Sequence, residues 1–461
     1  MAPLLYPSPA AAALKLQYVG KNIEDVQAPA TILDVAVVKR NCDLMLEAVS
    51  TLGLGFRAHV KTHKTIEIAK LQVGESSKSV NLVASTVAEI ENLVSWLLEC
   101  KAQGRDVNVL YGVPVTPSSI ARLASVVRAL GQGSIGLFID HPSHIKLLDQ
   151  ISLSTWPGRI PVWINIDVGY HREGVAADSE KLAEIAREIK NSTRTHLVGV
   201  YTHMGQSYSS SSPEEALNFM SDELKGLEDG AVKLLKFFDD SEEAASRPKI
   251  TLSLGATPTT TAVQNLVEAT QEGKQYLTMI ERVKESFYVE LHAGVYPIMD
   301  MQQLAARARP AVSLSTQNKT LLSYSDIGAR TLVEVASLYL DRGEQPEALI
   351  AAGSIVLGRE PCKSYPGWGV VSPWPAQQGS HYDPEGSKTG WIVGRVSQEH
   401  GILTWEGPKD QMRQLEIGQK LLIWPNHACI AGANFGWYLV VNGSGPDPEK
   451  IVDVWVRWRG W

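Results

Sequence analysis

The stretch Arg57-Ala58-His59-Val60-Lys61-Thr62-His63-Lys64 places two lysines and two histidines at the end of a run with strand character. An amine pointed into a partly desolvated barrel mouth is less basic than usual and can form a Schiff base. Lys61 falls where a barrel strand would meet such a mouth, although the same residue type also fits a plain surface lysine at a strand end. A second candidate is Pro425-Asn426-His427-Ala428-Cys429. On an extended segment His427 and Cys429 would project to the same side, and thiolate plus imidazole favours zinc over hard, oxygen-seeking ions. Taken alone, His-x-Cys is as compatible with a structural pair. Ser253-Leu254-Gly255-Ala256-Thr257-Pro258-Thr259 could form an anion nest from successive N–H groups and the Thr257 hydroxyl, or could simply start a helix. Asp167-Val168-Gly169-Tyr170-His171-Arg172-Glu173-Gly174 is a glycine-flanked turn that presents an arginine. In Tyr201-Thr202-His203, alternation puts Tyr201 and His203 on one face; a hydrogen-bonded core histidine is the plainer alternative for His203.

The elements that must position these groups fall into two textures. Between 30 and 300, apolar strand runs at 30–35, 56–61, 81–85, 107–113, 135–140, 161–168, 196–203, 250–256 and 286–294 alternate with helical patterns. The segment 37–52, with Val38, Cys42, Met45 and Val49 at helical spacing, is representative. Eight or nine such units predict a closed (β/α)8 TIM-type barrel, and no glycine-rich dinucleotide turn supports an open doubly wound sheet. From 301 to 461 the pattern changes to short strands at 331–340, 347–357, 390–396, 401–405, 421–424, 436–441 and 451–458, a mostly β domain. The segment 1–29 is expected to pack on that domain. Nine of the twelve tryptophans, from Trp368 onward, fall in the β region, which predicts aromatic core and subunit packing rather than a sugar-binding face. The Pro/Gly-rich segment 365–386 reads as one long loop.

Composition narrows the function. In 461 residues, 43 Lys+Arg against 50 Asp+Glu give a charge of −7 with no basic cluster, which argues against nucleic acid. No run of about 18 apolar residues predicts a membrane span. The N-terminal residues lack the basic start of a secretory signal, and four cysteines are too few for a disulfide framework, so a reduced, cytoplasmic setting is expected. Cys42 and Cys100 read as helix-core residues and Cys362 as a loop residue.

His59-Val60-Lys61-Thr62-His63-Lys64-Thr65, preceded by Pro29-Ala30-Thr31-Ile32-Leu33-Asp34, resembles the pyridoxal phosphate (PLP) enzymes of the alanine-racemase fold. With the later motifs in order, the chain is most similar to the family of eukaryotic D-serine dehydratases and D-threonine aldolases. The resemblance implies that Lys61 carries PLP as a Schiff base, with Lys64 as the lesser candidate. It implies that Arg172 contacts the phenolic oxygen, that His203 stacks on the pyridine ring, and that Tyr201 lies near its nitrogen. Ser253, Gly255, Ala256 and Thr257, with Gly294 and Val295, would form the phosphate cup. His427 and Cys429 would hold zinc, and His400, in Ser397-Gln398-Glu399-His400-Gly401, would act on the metal-bound hydroxyl or a neighbouring carboxylate. D-serine dehydratases carry His-x-Cys here, whereas D-threonine aldolases place a carboxylate at the second ligand. Cys429 therefore implies a carbon–nitrogen lyase that converts D-serine to pyruvate and ammonia, working as a homodimer. The alternatives are retro-aldol cleavage of D-3-hydroxy amino acids and a non-catalytic PLP-binding protein; the 301–461 region counts against the latter.

Overall fold

A parallel strand with helices outside and side chains inside is buried on both faces, and Ile135–Ile139 and Ile160–Asn165 are buried at every position. In the computed structural model, which describes residues 6–238, 248–267, 273–309, 322–374 and 381–461, these belong to a closed parallel barrel. With β1 at Ala30–Asp34, the barrel comprises β2 (Gly55–His59), β3 (Ser79–Ala84), β4 (Asp106–Pro114), β5 (Ile135–Ile139), β6 (Ile160–Asn165), β7 (Thr195–Tyr201), β8 (Thr251–Leu254) and β9 (Tyr288–Ala293). Pairing of β9 with β2, Leu291 opposite Phe56, closes it. The expected TIM-type architecture is the one found.

The first expected strand is the exception. β1 lies in the other sheet, antiparallel to β10 (Ala329–Tyr339) and parallel to β16 (Trp437–Val441). Neighbours on both edges and burial at all five positions account for its apolar sequence. Linear periodicity could not separate it from a barrel strand, because Asp34 caps the helix Val35–Thr51, and that helix buries Val38, Cys42, Met45 and Val49 in the barrel's own core. The sheet is completed by β11 (Glu347–Ile350), β12 (Gly369–Ser372), β13 (Gly390–Val396), β14 (Gly401–Glu406), β15 (Lys420–Pro425) and β17 (Ile451–Val456). Its order is β11-β14-β13-β12-β15-β10-β1-β16-β17. The N-terminal helix Ala11–Tyr18 lies against β17, where Lys15 pairs with Asp453 at 2.7 Å.

Two other expectations change. The strand expected over 347–357 stops at Ile350, and Ser354–Leu357 is a helical turn. Gly353 approaches the Ser397 carbonyl so closely that an added Cβ would lie 2.2 Å from it, which bends the chain. The loop expected over 365–386 contains β12, which pairs with β15 and β13; residues 375–380 lie outside the described residues. Trp391 and Trp405 are buried edge to face at 5.6 Å, and Trp424, Trp455 and Trp458 are buried as well, so these tryptophans are core. No helix among the described residues is long and apolar enough to cross a membrane.

Candidate active site

The barrel interior supplies a rigid floor. Arg57 on β2 pairs with Glu290 on β9 at 2.7 Å, both buried, and donates from Nη1 to Asn108 at 2.7 Å. The Ser253 hydroxyl donates to Glu290 at 2.8 Å and lies 3.1 Å from His292 Nδ1. With the serine proton committed to Glu290, Nδ1 of His292 carries the hydrogen, which leaves Nε2 as an acceptor; this nitrogen is buried without a partner among the described residues. Tyr201 stacks on the His292 ring, centroids 4.0 Å apart and planes 8° apart.

Above this floor a cavity of about 770 Å3 opens at the C-terminal ends of the strands. It is the place where a TIM-type barrel assembles its site, because loops of differing length converge there over one scaffold. Lys61, Arg172, Tyr201, His203, Gly255, Ala256, Thr257, Gly294, Val295, His427 and Cys429 all line it. Lys64 does not. It adopts φ +51° in the turn after β2, and its ammonium lies 3.1 Å from buried Glu89.

Three imidazoles in this wall are held neutral. Burial, then the positive charges of Arg172 and Lys61, takes His203 down to about 3; its Nδ1 donates to the Gly255 carbonyl at 3.0 Å, leaving Nε2 as an acceptor. Burial likewise lowers His59 and His292 well below the usual histidine range. Arg172 is partly exposed beside Glu173, with which it forms an ion pair. Its turn is set by Asp167, whose carboxylate accepts the Gly169 and His171 amides at 2.9 and 3.0 Å.

The expected phosphate cup is rearranged. The Gly255 amide donates to Glu223 at 2.9 Å and the Ala256 amide to Thr259 at 3.0 Å, so neither is turned to the cavity. Ser253 belongs to the floor and does not line the cavity. The backbone amides of a helix-initiating turn are taken first by local caps, which one-dimensional reading of a Gly-Ala-Thr-Pro turn cannot foresee. The Thr257 hydroxyl remains, accepting the Val295 amide at 3.3 Å and bonding Tyr208. Gly294 adds a concave wall: a Cβ there would meet the His59 carbonyl at 3.2 Å and Thr62 Oγ1 at 3.4 Å. Gly255, at φ +152°, has no room at all, since its Cβ would lie 2.1 Å from the His292 carbonyl. Gly255→Ala is therefore expected to cost about 1–3 kcal/mol in strain, measured as a loss of unfolding free energy by denaturant titration.

The pair expected to hold metal is not on an extended segment. β15 ends at Pro425, His427 caps a short helical turn, Ala428–Ala431, and Cys429 lies within it. The turn is anchored by Asp300, which accepts the Ala428 amide at 2.9 Å, and by buried Asn426. The Cys429 sulfur is 3.1 Å from Thr62 Oγ1, in the turn that carries Lys61. Burial opposes ionisation of Cys429, but His427, Lys61 and Thr62 outweigh it and hold the thiol below its ordinary range. Burial also pulls His427 down, yet the Cys429 sulfur and the Asp300 carboxylate lift it to about 9. Its Nδ1 is buried without a hydrogen-bond partner among the described residues. An acidic thiol beside a ring nitrogen lacking a partner is a donor set suited to a thiophilic cation. No group of three or more His, Cys, Asp or Glu residues placed to hold a metal occurs among the described residues.

His400 is elsewhere. It is exposed in the turn joining β13 to β14, where its carbonyl accepts the Ser397 amide at 2.8 Å, and it does not line the cavity of its own chain. Conversely, His59, His292, Tyr208 and Glu360 line the cavity without having been singled out. For His59 a signal existed, since alternation places it on the face of Lys61; Tyr208 and Glu360 arrive through tertiary packing alone.

Residues 33–273 match the model of the alanine racemase N-terminal domain, and 328–441 match that of a putative serine dehydratase domain. A D-serine dehydratase of Schizosaccharomyces pombe is 34% identical over 97% of this chain and 95% of its own length. The chain belongs to the alanine-racemase-like D-serine dehydratase family. Membership makes it an enzyme of a PLP-dependent family. A second D-serine dehydratase, from Saccharomyces cerevisiae, is 29% identical over 96% of this chain and 99% of its own. Among solved structures, a D-threo-3-hydroxyaspartate dehydratase, a cysteine-to-alanine variant in the metal-free form, superposes with a TM-score of 0.70. It is 24% identical, with 96% of this chain and all of the other covered. In this D-serine dehydratase family member, the barrel and the sheet jointly wall the cavity, the barrel contributing Lys61 and the sheet domain His427 and Cys429.

Proposed function

We propose that this chain is a PLP-dependent, zinc-assisted D-serine dehydratase that forms pyruvate and ammonia. The observation that carries the reading is the convergence, in one cavity, of a strand-end lysine with an imidazole and an acidic thiol from the other domain. The relatives named D-serine dehydratase, aligned over nearly the full chain, support the same substrate.

The unpartnered Nε2 of His292 and the glycine cradle fit PLP, and the thiol–imidazole pair fits zinc. When bound, PLP supplies an electron sink and zinc a Lewis acid for the leaving hydroxyl. Lys61 would hold the cofactor through its amine, and the same amine would accept the substrate's Cα proton as general base. D-specificity follows if Lys61 faces only the side on which a D-amino acid presents that hydrogen. Neutral His203 offers a flat wall for the pyridine ring, and Arg172 holds negative charge on the phenolic oxygen. Buried Tyr201, a neutral neighbour for the ring nitrogen, would leave the ring a poorer electron sink than a carboxylate partner would, which places more of the burden on the metal. Thr257 and Gly294 would receive the phosphate, with the Val295 amide turned to the Thr257 hydroxyl. His427 and Cys429 would hold the metal, which would supply Lewis acidity toward the substrate's hydroxyl.

A homodimer completes the reading, with one subunit's sheet covering the other's barrel mouth; Tyr170 and Val113 stand exposed at that mouth. The four cysteines, all free, support a reduced, cytoplasmic setting. The test is purified protein, analysed for metal, given D-serine, L-serine and D-threonine. Pyruvate and ammonia from D-serine alone are expected. Glycine and an aldehyde from D-threonine, without pyruvate from D-serine, would replace this reading with the aldolase one.

A further inference from the structure

The turn that carries Lys61 is held from behind by the end of the chain. Three successive carbonyls accept hydrogen bonds from two successive residues. Arg457 donates from Nη2 to Thr62 O at 3.1 Å and from Nε to His63 O at 3.0 Å, and the Trp458 amide donates to Lys64 O at 2.8 Å. Arg457 follows β17 directly and is 2% exposed. Its other face looks toward the metal pair: Nη1 reaches Phe435 O at 3.5 Å and lies 3.2 Å from where a Cβ on Gly432 would sit, just past the turn Ala428–Ala431. The guanidinium also lies over the Tyr438 ring at 5.1 Å.

Among the described residues these partners are carbonyls and the Tyr438 side chain, so the buried cation is satisfied there without a carboxylate. That choice has a chemical consequence. A carboxylate would satisfy the guanidinium equally well but would set a negative charge behind the Cys429 sulfur, whereas carbonyl dipoles add none. The side chain of Thr62, whose carbonyl Arg457 grips, is itself in contact with Cys429. One guanidinium therefore sits between the two halves of the site.

We propose that Arg457 is a positioning residue that sets the spacing between the Lys61 amine and the His427/Cys429 pair. The inference rests on the D-serine dehydratase reading, and its test separates the two. Exchange of the Cα hydrogen of D-alanine in heavy water needs the lysine and PLP alone, because D-alanine has no β leaving group. Pyruvate formation from D-serine needs the lysine and the metal at their proper distance, and a misplacement of about 1 Å can cost about 100-fold. In holoenzyme carrying Arg457→Lys, pyruvate formation is expected to fall by about 100-fold while D-alanine exchange stays within about threefold. Zinc should also be lost faster to EDTA while PLP absorbance persists. Thr62→Val, which keeps the gripped carbonyl but removes the contact to sulfur, should act in the same direction, and it carries the test if the arginine variant does not fold. Arg459→Ala, at an exposed arginine bonded to the Asn434 carbonyl, should change neither reaction. Equal loss of both reactions, or loss of neither, overturns the spacing role. Absence of pyruvate with wild-type protein overturns the D-serine reading instead, and zinc retention then still decides the role of Arg457.

Discussion

Lys61→Ala is expected to abolish covalent retention of PLP and to lower D-serine turnover by about 10^4-fold or more, because one side chain serves as both tether and base. Lys64→Ala should leave the cofactor in place, since its ammonium is engaged by Glu89 outside the cavity. Absorbance near the visible edge, followed by borohydride reduction and peptide mapping, measures both. Label on the peptide containing position 61 but chemically on Lys64 would reverse the assignment. Added methylamine should partly restore turnover to the Lys61 variant, as a small base can enter the large cavity, and should do nothing for a misfolded protein.

Cys429→Ala is expected to keep the PLP absorbance and lose the metal, with a fall in pyruvate formation on the order of 10^3-fold. Expelling hydroxide unaided forfeits several kcal/mol of charge stabilisation, and each 1.36 kcal/mol is a factor of ten. The sulfur is half-buried at the junction of the two domains, touched by Thr62 and His427, so its loss leaves the Lys61 turn covalently intact. Metal content by elemental analysis, with rates measured before and after adding zinc, checks the result. A metal-free variant that turns over at the wild-type rate would remove zinc from the chemistry. Cys362→Ala is the matched control, because this thiol also reaches the cavity but packs against the Met301 carbonyl and Ser364.

Much of this protein is legible in one dimension because strand burial and helix amphipathicity are local properties. The barrel cadence and the Lys61 stretch stand out from residue type and spacing, whereas the arginine turn and the His-x-Cys pair take their expected roles from the family resemblance. Where a strand pairs is not local. The segment Ala30–Asp34 has the composition of a barrel strand and the helix that should follow one, yet its edges hydrogen-bond to β10 and β16, more than 290 residues away in the chain. Likewise β12 has only four residues and lies within Pro/Gly-rich sequence, so its pairing with β15 decides its conformation.

The same division runs through the site. Residue chemistry alone nominated Lys61, His427 and Cys429. Three-dimensional packing decided that the sheet domain delivers the thiol against Thr62, that Glu223 and Thr259 absorb amides which the Gly255 turn could have offered to phosphate, and that His400 faces outward on a hairpin. Side-chain chemistry is written residue by residue, whereas hydrogen-bond partners are won by competition among groups that only folding brings within 3 Å or so of one another.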